Sequence, residues 1–157
     1  MVTNTVISLN QVVGIDIGKV GNIALSTGFR MIVKDETDVV TLFRQILQYN
    51  SNIVALEQHN NNKREKRVLK GLYVANDLIT RYIKSRLNAR IQIVYVDRFK
   101  SSIMCHKCRF VDRESRIEPW LFICTCCGEN INADVNAALN IKIAAEEKIN
   151  EGIINWQ

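Results

Sequence analysis

Runs of apolar residues at the start of the chain predict three neighbouring strands. Residues 12–17 form an almost continuous apolar, β-branched run, which is typical of a strand buried on both faces of a sheet. Residues 22–26 and 29–34 predict two more strands, joined through Thr27-Gly28 as a hairpin. The first three strands should therefore form a meander.

Helical and strand patterns then alternate along the rest of the chain. Residues 35–49 predict a helix with acidic residues at its start, followed by a short buried strand at 53–56. A long amphipathic helix is predicted over 63–88, another strand over 91–96 and a last helix over 133–149. The pattern alone predicts an α/β fold with a mixed sheet. The apolar stripe of the first helix comprises Val39, Leu42, Phe43, Ile46 and Leu47.

Charge changes this picture by adding a candidate surface for nucleic acid. The sequence has 157 residues and a net charge of +5, which fit one mildly basic domain. Lys and Arg concentrate between residues 63 and 116, whereas the last helix is acidic. This segment predicts a phosphate-contacting surface, with a solvated charged face as the alternative for any single residue. The candidate nucleic-acid-binding residues are Lys63, Arg64, Arg67, Lys70, Arg98 and Lys100.

Neither a signal peptide nor a membrane-spanning run is recognisable in the sequence. The five cysteines all lie in one short region, which does not resemble the disulfide framework of a secreted protein. We therefore expect an intracellular protein, cytoplasmic or associated with the nucleoid, with no membrane partner.

Four cysteines form two C-x₂-C pairs, Cys105 with Cys108 and Cys124 with Cys127. Their separation follows the pattern of zinc ribbons, in which each pair holds two adjacent corners of a tetrahedron. The pattern predicts a structural Zn²⁺ site, because four thiolates leave no open coordination position. Disulfides or buried structural cysteines are the alternatives. Cys126 is a spare thiol, and a surface histidine is the favoured interpretation of His106, with an alternate zinc ligand as the other.

Three carboxylates stand at the edges of predicted elements. Asp16 interrupts the first buried strand, Glu57 ends the strand at 53–56, and Asp134 lies near the start of the last helix. A buried carboxylate without a partner or a metal is costly, so Asp16 is the one of the three for which a purely structural role fits least well. If the three converge, they offer hard oxygen ligands for the Mg²⁺ or Mn²⁺ of two-metal phosphodiester hydrolysis. A helix-start carboxylate and a strand-end surface residue are the alternatives for Asp134 and Glu57.

These motifs resemble the RuvC-like nuclease domain, with its inserted zinc ribbon, of the TnpB transposon-encoded proteins and the type V CRISPR effectors. Residues 14–18 (GIDIG) resemble the first motif, and residues 53–57 (IVALE) resemble the second. Ser102 with the two cysteine pairs resembles the ribbon. Residues 134–141 (DVNAALNI) resemble the third motif, which is the most specific of them.

The resemblance implies a ribonuclease H-like mixed sheet flanked by helices, and a DNA endonuclease activity that the family directs with a guide RNA. It divides the chain into a nuclease domain at 1–100 and 129–157 and an inserted ribbon at 101–128. The implied ligands of Mg²⁺ or Mn²⁺, which are also the catalytic residues, are Asp16, Glu57 and Asp134, and those of Zn²⁺ are Cys105, Cys108, Cys124 and Cys127.

The sequence also departs from the family. Family members usually carry an N-terminal half that holds the guide RNA and the target duplex, whereas this sequence begins at the nuclease domain. The short helix at 35–49 replaces a basic helical segment, and Arg109 stands where a glycine often follows the first knuckle. Besides DNA, the expected partners are therefore a guide RNA or a partner protein that supplies the missing half.

Two other functions fit the sequence. One is a freestanding structure-specific nuclease, such as a Holliday junction resolvase, which would work as a homodimer because two strands must be cut symmetrically. Resolvases of this fold often carry another carboxylate one turn after the first on the last helix, where this chain has Ala137. The other is a non-catalytic zinc-ribbon module that binds nucleic acid, although such a module has no reason to keep all three carboxylates.

Overall fold

A computed structural model describes residues 12–59, 70–85, 91–97 and 99–152 of the chain. A five-stranded sheet of order β3-β2-β1-β4-β5 lies at the centre of the described fold. β1 pairs antiparallel with β2 and parallel with β4, so the sheet is mixed as predicted. The meander of the first three strands is also confirmed. The strands are β1 (Val12–Ile17), β2 (Asn22–Leu25), β3 (Arg30–Ile32), β4 (Ile53–Glu57) and β5 (Gln92–Val96).

Two helices, α1 (Glu36–Gln48) and α2 (Lys70–Ser85), cover one face of this sheet. α1 begins where the side chain of Asp35 accepts hydrogen bonds from the backbone N–H groups of Thr37 and Asp38. The predicted apolar stripe of α1 is buried except for Leu47, which is 55% exposed and does not belong to it. The described part of the predicted long helix is α2, and its predicted ends lie outside the described residues.

The other face of the sheet is covered by α3 (Ala133–Asn150), which packs on β1. The approach is so close that a Cβ added at Gly14 would lie 2.1 Å from the backbone oxygen of Ala138 and 2.7 Å from the backbone nitrogen of Lys142. Asn132 caps the helix by accepting hydrogen bonds from the backbone N–H groups of Asp134 and Val135. The start of α3 is therefore fixed directly against the middle of the sheet.

A second, small antiparallel sheet lies between β5 and α3 in the chain. It consists of β6 (Arg116–Glu118), β7 (Leu121–Ile123) and β8 (Asn130–Asn132), in that spatial order. Phe122 of β7 is fully buried there beside Cys105, Cys124 and Ala133. Because β8 runs straight into α3, the small sheet is attached to the start of that helix. The described helices include none that could cross a membrane.

Candidate active site and cysteine cluster

The three predicted carboxylates come from β1, β4 and the first turn of α3. In the parallel register of β1 and β4, Ile15 lies opposite Leu56, so Asp16 and Glu57 follow side by side at the carboxyl ends of the strands. Ligand sites of open α/β sheets form beyond such ends. Asp134 stands one residue after the start of α3, and the packing of that helix on β1 brings it to the same edge.

Electrostatics shows how closely the three carboxylates interact. The pKa of Asp16 is raised to about 7 by burial first and then by the negative charges of Asp134 and Glu57, while the positive charge of Arg116 acts in the opposite direction. The repulsion that Asp134 and Glu57 exert on Asp16 is unfavourable, and a bound cation would relieve it. The donor set therefore fits a hard divalent metal ion.

Asp134 is oriented by two side chains that the sequence patterns did not assign to the site. Its Oδ2 accepts a hydrogen bond from Nδ2 of Asn22 at 3.1 Å. Its Oδ1 lies 3.4 Å from the guanidinium of Arg116 in an ion pair. The same guanidinium nitrogen donates to the backbone oxygen of Pro119 at 2.6 Å, which ties the β6–β7 turn to the carboxylate. Arg116 thus places one positive charge from the ribbon beside Asp134.

Glu57 has a partner from the other end of the ribbon. The hydroxyl of Ser101 donates to Oε1 of Glu57 at 2.6 Å, and Ser101 is buried. A hydrogen bond to an ionised acceptor is shorter and stronger than a neutral one. Nothing in the strand and helix patterns pointed to Ser101, because the contact joins positions 44 residues apart.

The Sγ atoms of Cys105, Cys108, Cys124 and Cys127 all lie within 4.8 Å of one another, so these four residues can hold a metal ion. Cys126 is exposed and lies outside this cluster. The ring Nδ1 of His106 lies 3.1 Å from Oδ1 of Asn136. In the parts of the chain that the structure describes, no other set of three or more His, Cys, Asp or Glu side chains is arranged this closely, so the carboxylates of Asp16, Glu57 and Asp134 are less tightly clustered than the four thiols.

Each cysteine pair lies on a tight turn, a knuckle, at residues 105–109 and 124–128. The same kind of backbone hydrogen bond closes both knuckles. The backbone N–H of Arg109 donates to the oxygen of Cys105, and that of Gly128 donates to the oxygen of Cys124, both at 2.9 Å. Both donors have left-handed backbone conformations, with φ of 64° for Arg109 and 73° for Gly128. Glycine adopts this conformation without steric cost, so Arg109 closes the first knuckle at some strain.

Two of the six predicted nucleic-acid-binding residues lie in the described part of the chain. Lys70, at the start of α2, and Lys100, just before the cysteine cluster, are both exposed. Lys63, Arg64, Arg67 and Arg98 lie outside the described residues. Their role as contacts to phosphate therefore stays a prediction, as does that of Lys70 and Lys100.

The chain is similar to known proteins in its sequence and in its fold. The family model of the Cas12f1-like TNB domain matches residues 79–141. Over 73 residues, 46% of this chain, the sequence is 37% identical to the CRISPR-associated endodeoxyribonuclease Cas12f1 of Sulfoacidibacillus thermotolerans. The fold is similar to a chain in the cryo-EM structure of the Cas12f1-sgRNA-target DNA complex, with a TM-score of 0.58 and 19% identity over 83% of this chain.

These similarities confirm the resemblance to TnpB and type V effector-like proteins that the motifs indicated. The curated relative and the solved structure named above both carry the name Cas12f1. The matches cover 17% of the curated relative and 49% of the chain in the solved structure. The chain is thus similar to a part of these larger proteins.

Proposed function

We propose that the chain is a metal-dependent DNA endonuclease domain of the RuvC-like, ribonuclease H-like kind. The observation that carries this proposal is the meeting of Asp16, Glu57 and Asp134 at one edge of the sheet, where the charges of two of them raise the pKa of the third. The proposed division into a nuclease domain (1–100 and 129–157) and an inserted ribbon (101–128) is supported by β6 and β7, which lie within 101–128, whereas β8, which pairs with β7, lies beyond that range.

In this proposal, the three carboxylates hold Mg²⁺ or Mn²⁺. Two such ions, when bound, supply the Lewis-acid chemistry of phosphodiester hydrolysis with water as the nucleophile. The chain's own part is orientation, because Asn22 and Arg116 fix the carboxylate of Asp134 and Ser101 fixes that of Glu57. Arg116 also brings a positive charge to a place where a negatively charged phosphate would approach.

The proposed substrate is DNA, and the proposed partners of the whole protein are a guide RNA or a partner protein. The name of the curated relative, an endodeoxyribonuclease, supports the substrate. The solved complex with an sgRNA and target DNA supports the nucleic-acid partners. A junction resolvase is less well supported, since Ala137 is buried where a further carboxylate would be needed.

The first prediction tests the chemistry. Zinc-loaded protein, incubated with single-stranded, duplex and four-way-junction DNA, should cut at least one of them when Mg²⁺ or Mn²⁺ is added. Asp134→Asn should reduce the cutting rate by roughly a thousandfold or more, because it removes one of the three charged ligands of the metal ions. Enzymes accelerate their reactions by at least about 10⁶-fold, and here the bound metal ions would supply much of that acceleration. Gel electrophoresis of end-labelled DNA measures the rate.

The matched control is Asp77→Asn, which alters a surface carboxylate that pairs with Arg81 on α2. It should cut like the unaltered protein. Equal cutting by Asp134→Asn and the unaltered protein would rule out the proposed site. If a folded protein cuts no DNA alone but cuts once a guide RNA or partner is added, the chain is one part of a larger effector.

The second prediction concerns the cysteine cluster, which we propose binds structural Zn²⁺. Cys124→Ser removes a buried ligand, so the zinc affinity should fall by more than the roughly 10–100-fold that loss of an outer-shell partner costs. Because zinc binding contributes to folding free energy, the melting temperature should fall as well. Mass spectrometry under native conditions and thermal denaturation measure the two effects.

Cys126→Ser provides the matched control, because Cys126 is exposed and lies outside the cluster. It should retain one zinc ion per chain and the original melting temperature. Loss of zinc from the Cys126 variant but not from the Cys124 variant would mean that the ligand set is wrong.

A further inference from the structure

Ser101 connects the loop that leads into the cysteine cluster with the carboxylate site. It is 5% exposed, and its hydroxyl donates to Oε1 of Glu57 at 2.6 Å. Its backbone oxygen accepts a hydrogen bond from Nδ2 of Asn140 at 2.9 Å. Ser101 is thus held from α3 through its backbone while its side chain holds the carboxylate of β4.

Two asparagines of α3 form hydrogen bonds with the loop that runs from Ser101 to the first knuckle. Both Asn136 and Asn140 are fully buried. Their side-chain Nδ2 groups both donate to the backbone oxygen of Met104, at 2.8 and 2.7 Å. Buried amides that satisfy backbone groups in this way rigidify their surroundings, since breaking any one bond leaves a buried polar group unpaired.

The acceptor oxygens of the same two amides are also used. Oδ1 of Asn136 accepts from the backbone N–H of His106 at 3.0 Å, and Oδ1 of Asn140 accepts from the guanidinium of Arg109 at 2.9 Å. His106 lies between the two cysteines of the first pair, and Arg109 follows the second of them. The helix that carries Asp134 therefore holds the first knuckle through hydrogen bonds from the nitrogen and to the oxygen of both side-chain amides.

We propose that Ser101 is a positioning residue for the carboxylate site, aligning Glu57 with Asp16 and Asp134 from the loop that the two asparagines and the cysteine cluster hold in place. This inference rests on the proposed function. A glutamate has several rotatable bonds, and a hydrogen bond from a buried, fixed hydroxyl restricts the carboxylate to one arrangement. The ribbon then contributes to cation binding at a site where it supplies no ligand.

The neighbouring serine makes the inference specific. Ser102 is the residue that the family motif singles out, yet it is exposed, whereas Ser101 reaches Glu57. The two serines are neighbours in the sequence and have the same side chain, but only the side chain of Ser101 contacts Glu57. Ser101→Ala and Ser102→Ala therefore form a matched pair of variants.

The test measures Mn²⁺ binding by isothermal titration calorimetry on the zinc-loaded full chain, in the unaltered protein, the two alanine variants and Asp16→Asn. The binding that Asp16→Asn abolishes is assigned to the carboxylate site. Ser101→Ala should weaken this binding by about 10–100-fold, the usual loss on removal of an outer-shell partner, whereas Ser102→Ala should not change it. In cutting assays, kcat at fixed Mn²⁺ should fall for Ser101→Ala with the KM for DNA unchanged.

A second pair of variants separates the hydroxyl from the shape of the side chain. Ser101→Thr and Ser101→Val have nearly the same volume, and only threonine keeps the hydroxyl. We expect tighter Mn²⁺ binding by the threonine variant, at equal zinc content. This comparison holds even if Ser101→Ala destabilises the loop.

Two outcomes would overturn the inference. Equal Mn²⁺ affinities in Ser101→Ala and Ser102→Ala, with equal affinities in the threonine and valine variants, would show that the hydroxyl does not position Glu57. If the unaltered protein binds no Mn²⁺ that Asp16→Asn abolishes, the proposed carboxylate site itself is wrong, and the inference falls with it.

Discussion

Replacing Asp16 with asparagine should stabilise the protein at about pH 8 while abolishing the proposed cutting of DNA. Burial and the charges of Asp134 and Glu57 raise the pKa of Asp16 to about 7 in the folded chain. Above that pH the folded protein must carry an ionised Asp16, which these surroundings disfavour. An uncharged asparagine avoids this cost but cannot serve as a charged metal ligand.

The sign of the pH dependence follows from the direction of the shift. A carboxylate with a raised folded pKa contributes stability that is fully present below its ordinary value of 3.8 and is lost as the pH rises through about 7. A shift of this size corresponds to about 4 kcal/mol at most, and we expect asparagine to recover about half of it. The gain should grow between about pH 5 and pH 8.

Urea denaturation of zinc-loaded protein, free of other divalent ions, measures this gain. Asp77→Asn is again the control, since a surface pair such as Asp77 with Arg81 contributes about 0–1 kcal/mol and its loss should not stabilise the fold. A loss of stability in Asp16→Asn at about pH 8 would contradict the expected result. In the unaltered protein, Mn²⁺ should raise the denaturation midpoint more at about pH 8 than at about pH 5, because the cation competes with the proton on Asp16.

Gly14→Ala should disrupt the site from a distance by separating α3 from β1. The added Cβ would lie 2.1 Å from the oxygen of Ala138 and 2.7 Å from the nitrogen of Lys142, which are backbone atoms that cannot move alone. Relief of the overlap requires the whole helix to shift. Overpacking typically costs about 1–3 kcal/mol, and we expect about 3 kcal/mol or more because backbone meets backbone here.

The shift should also move Asp134 away from Asp16, so cutting should fall much more than the folded fraction does. Thermal denaturation and the cutting assay, run on the same samples, measure the two effects. Gly28→Ala is the control, because a Cβ there would contact nothing within 4 Å and the cost is limited to its left-handed conformation, about 1–2 kcal/mol. Equal losses for the two variants would show that α3 tolerates displacement.

Periodicity was sufficient for most elements of the described fold. Val12–Ile17 was recognisable as a buried strand because both faces of β1 are covered, by α1 and α2 on one side and by α3 on the other. Leu47 was assigned to the buried stripe of α1, yet it is exposed in the last turn. A residue at the end of an apolar stripe can lie beyond the edge of the sheet on which the helix packs. Sequence spacing does not reveal where that edge lies.

The candidate site was predictable only in part. Asp16, Glu57 and Asp134 were singled out because the first interrupts a buried strand, the second ends one and the third lies near a helix start. Their role as metal ligands and catalytic residues stays a prediction. Asn22 and Ser101 were not found, since Asn22 meets Asp134 across 112 residues and both are ordinary polar residues in their local sequence. Contacts of this kind depend on how α3 and the ribbon settle on the sheet, which local patterns do not determine.

The position of α3 has a consequence for the synthesis of the protein. Residues of β1, β4 and β5, among them Val12, Ile53 and Val94, bury one face of the sheet against this helix. The ribosome makes these strands first, so that face stays exposed to chaperones until α3 has been translated. A product that stops within the ribbon would lack both the cover of the sheet and Asp134. Interrupted translation would therefore yield a chain with one face of its sheet uncovered and with the proposed carboxylate site incomplete.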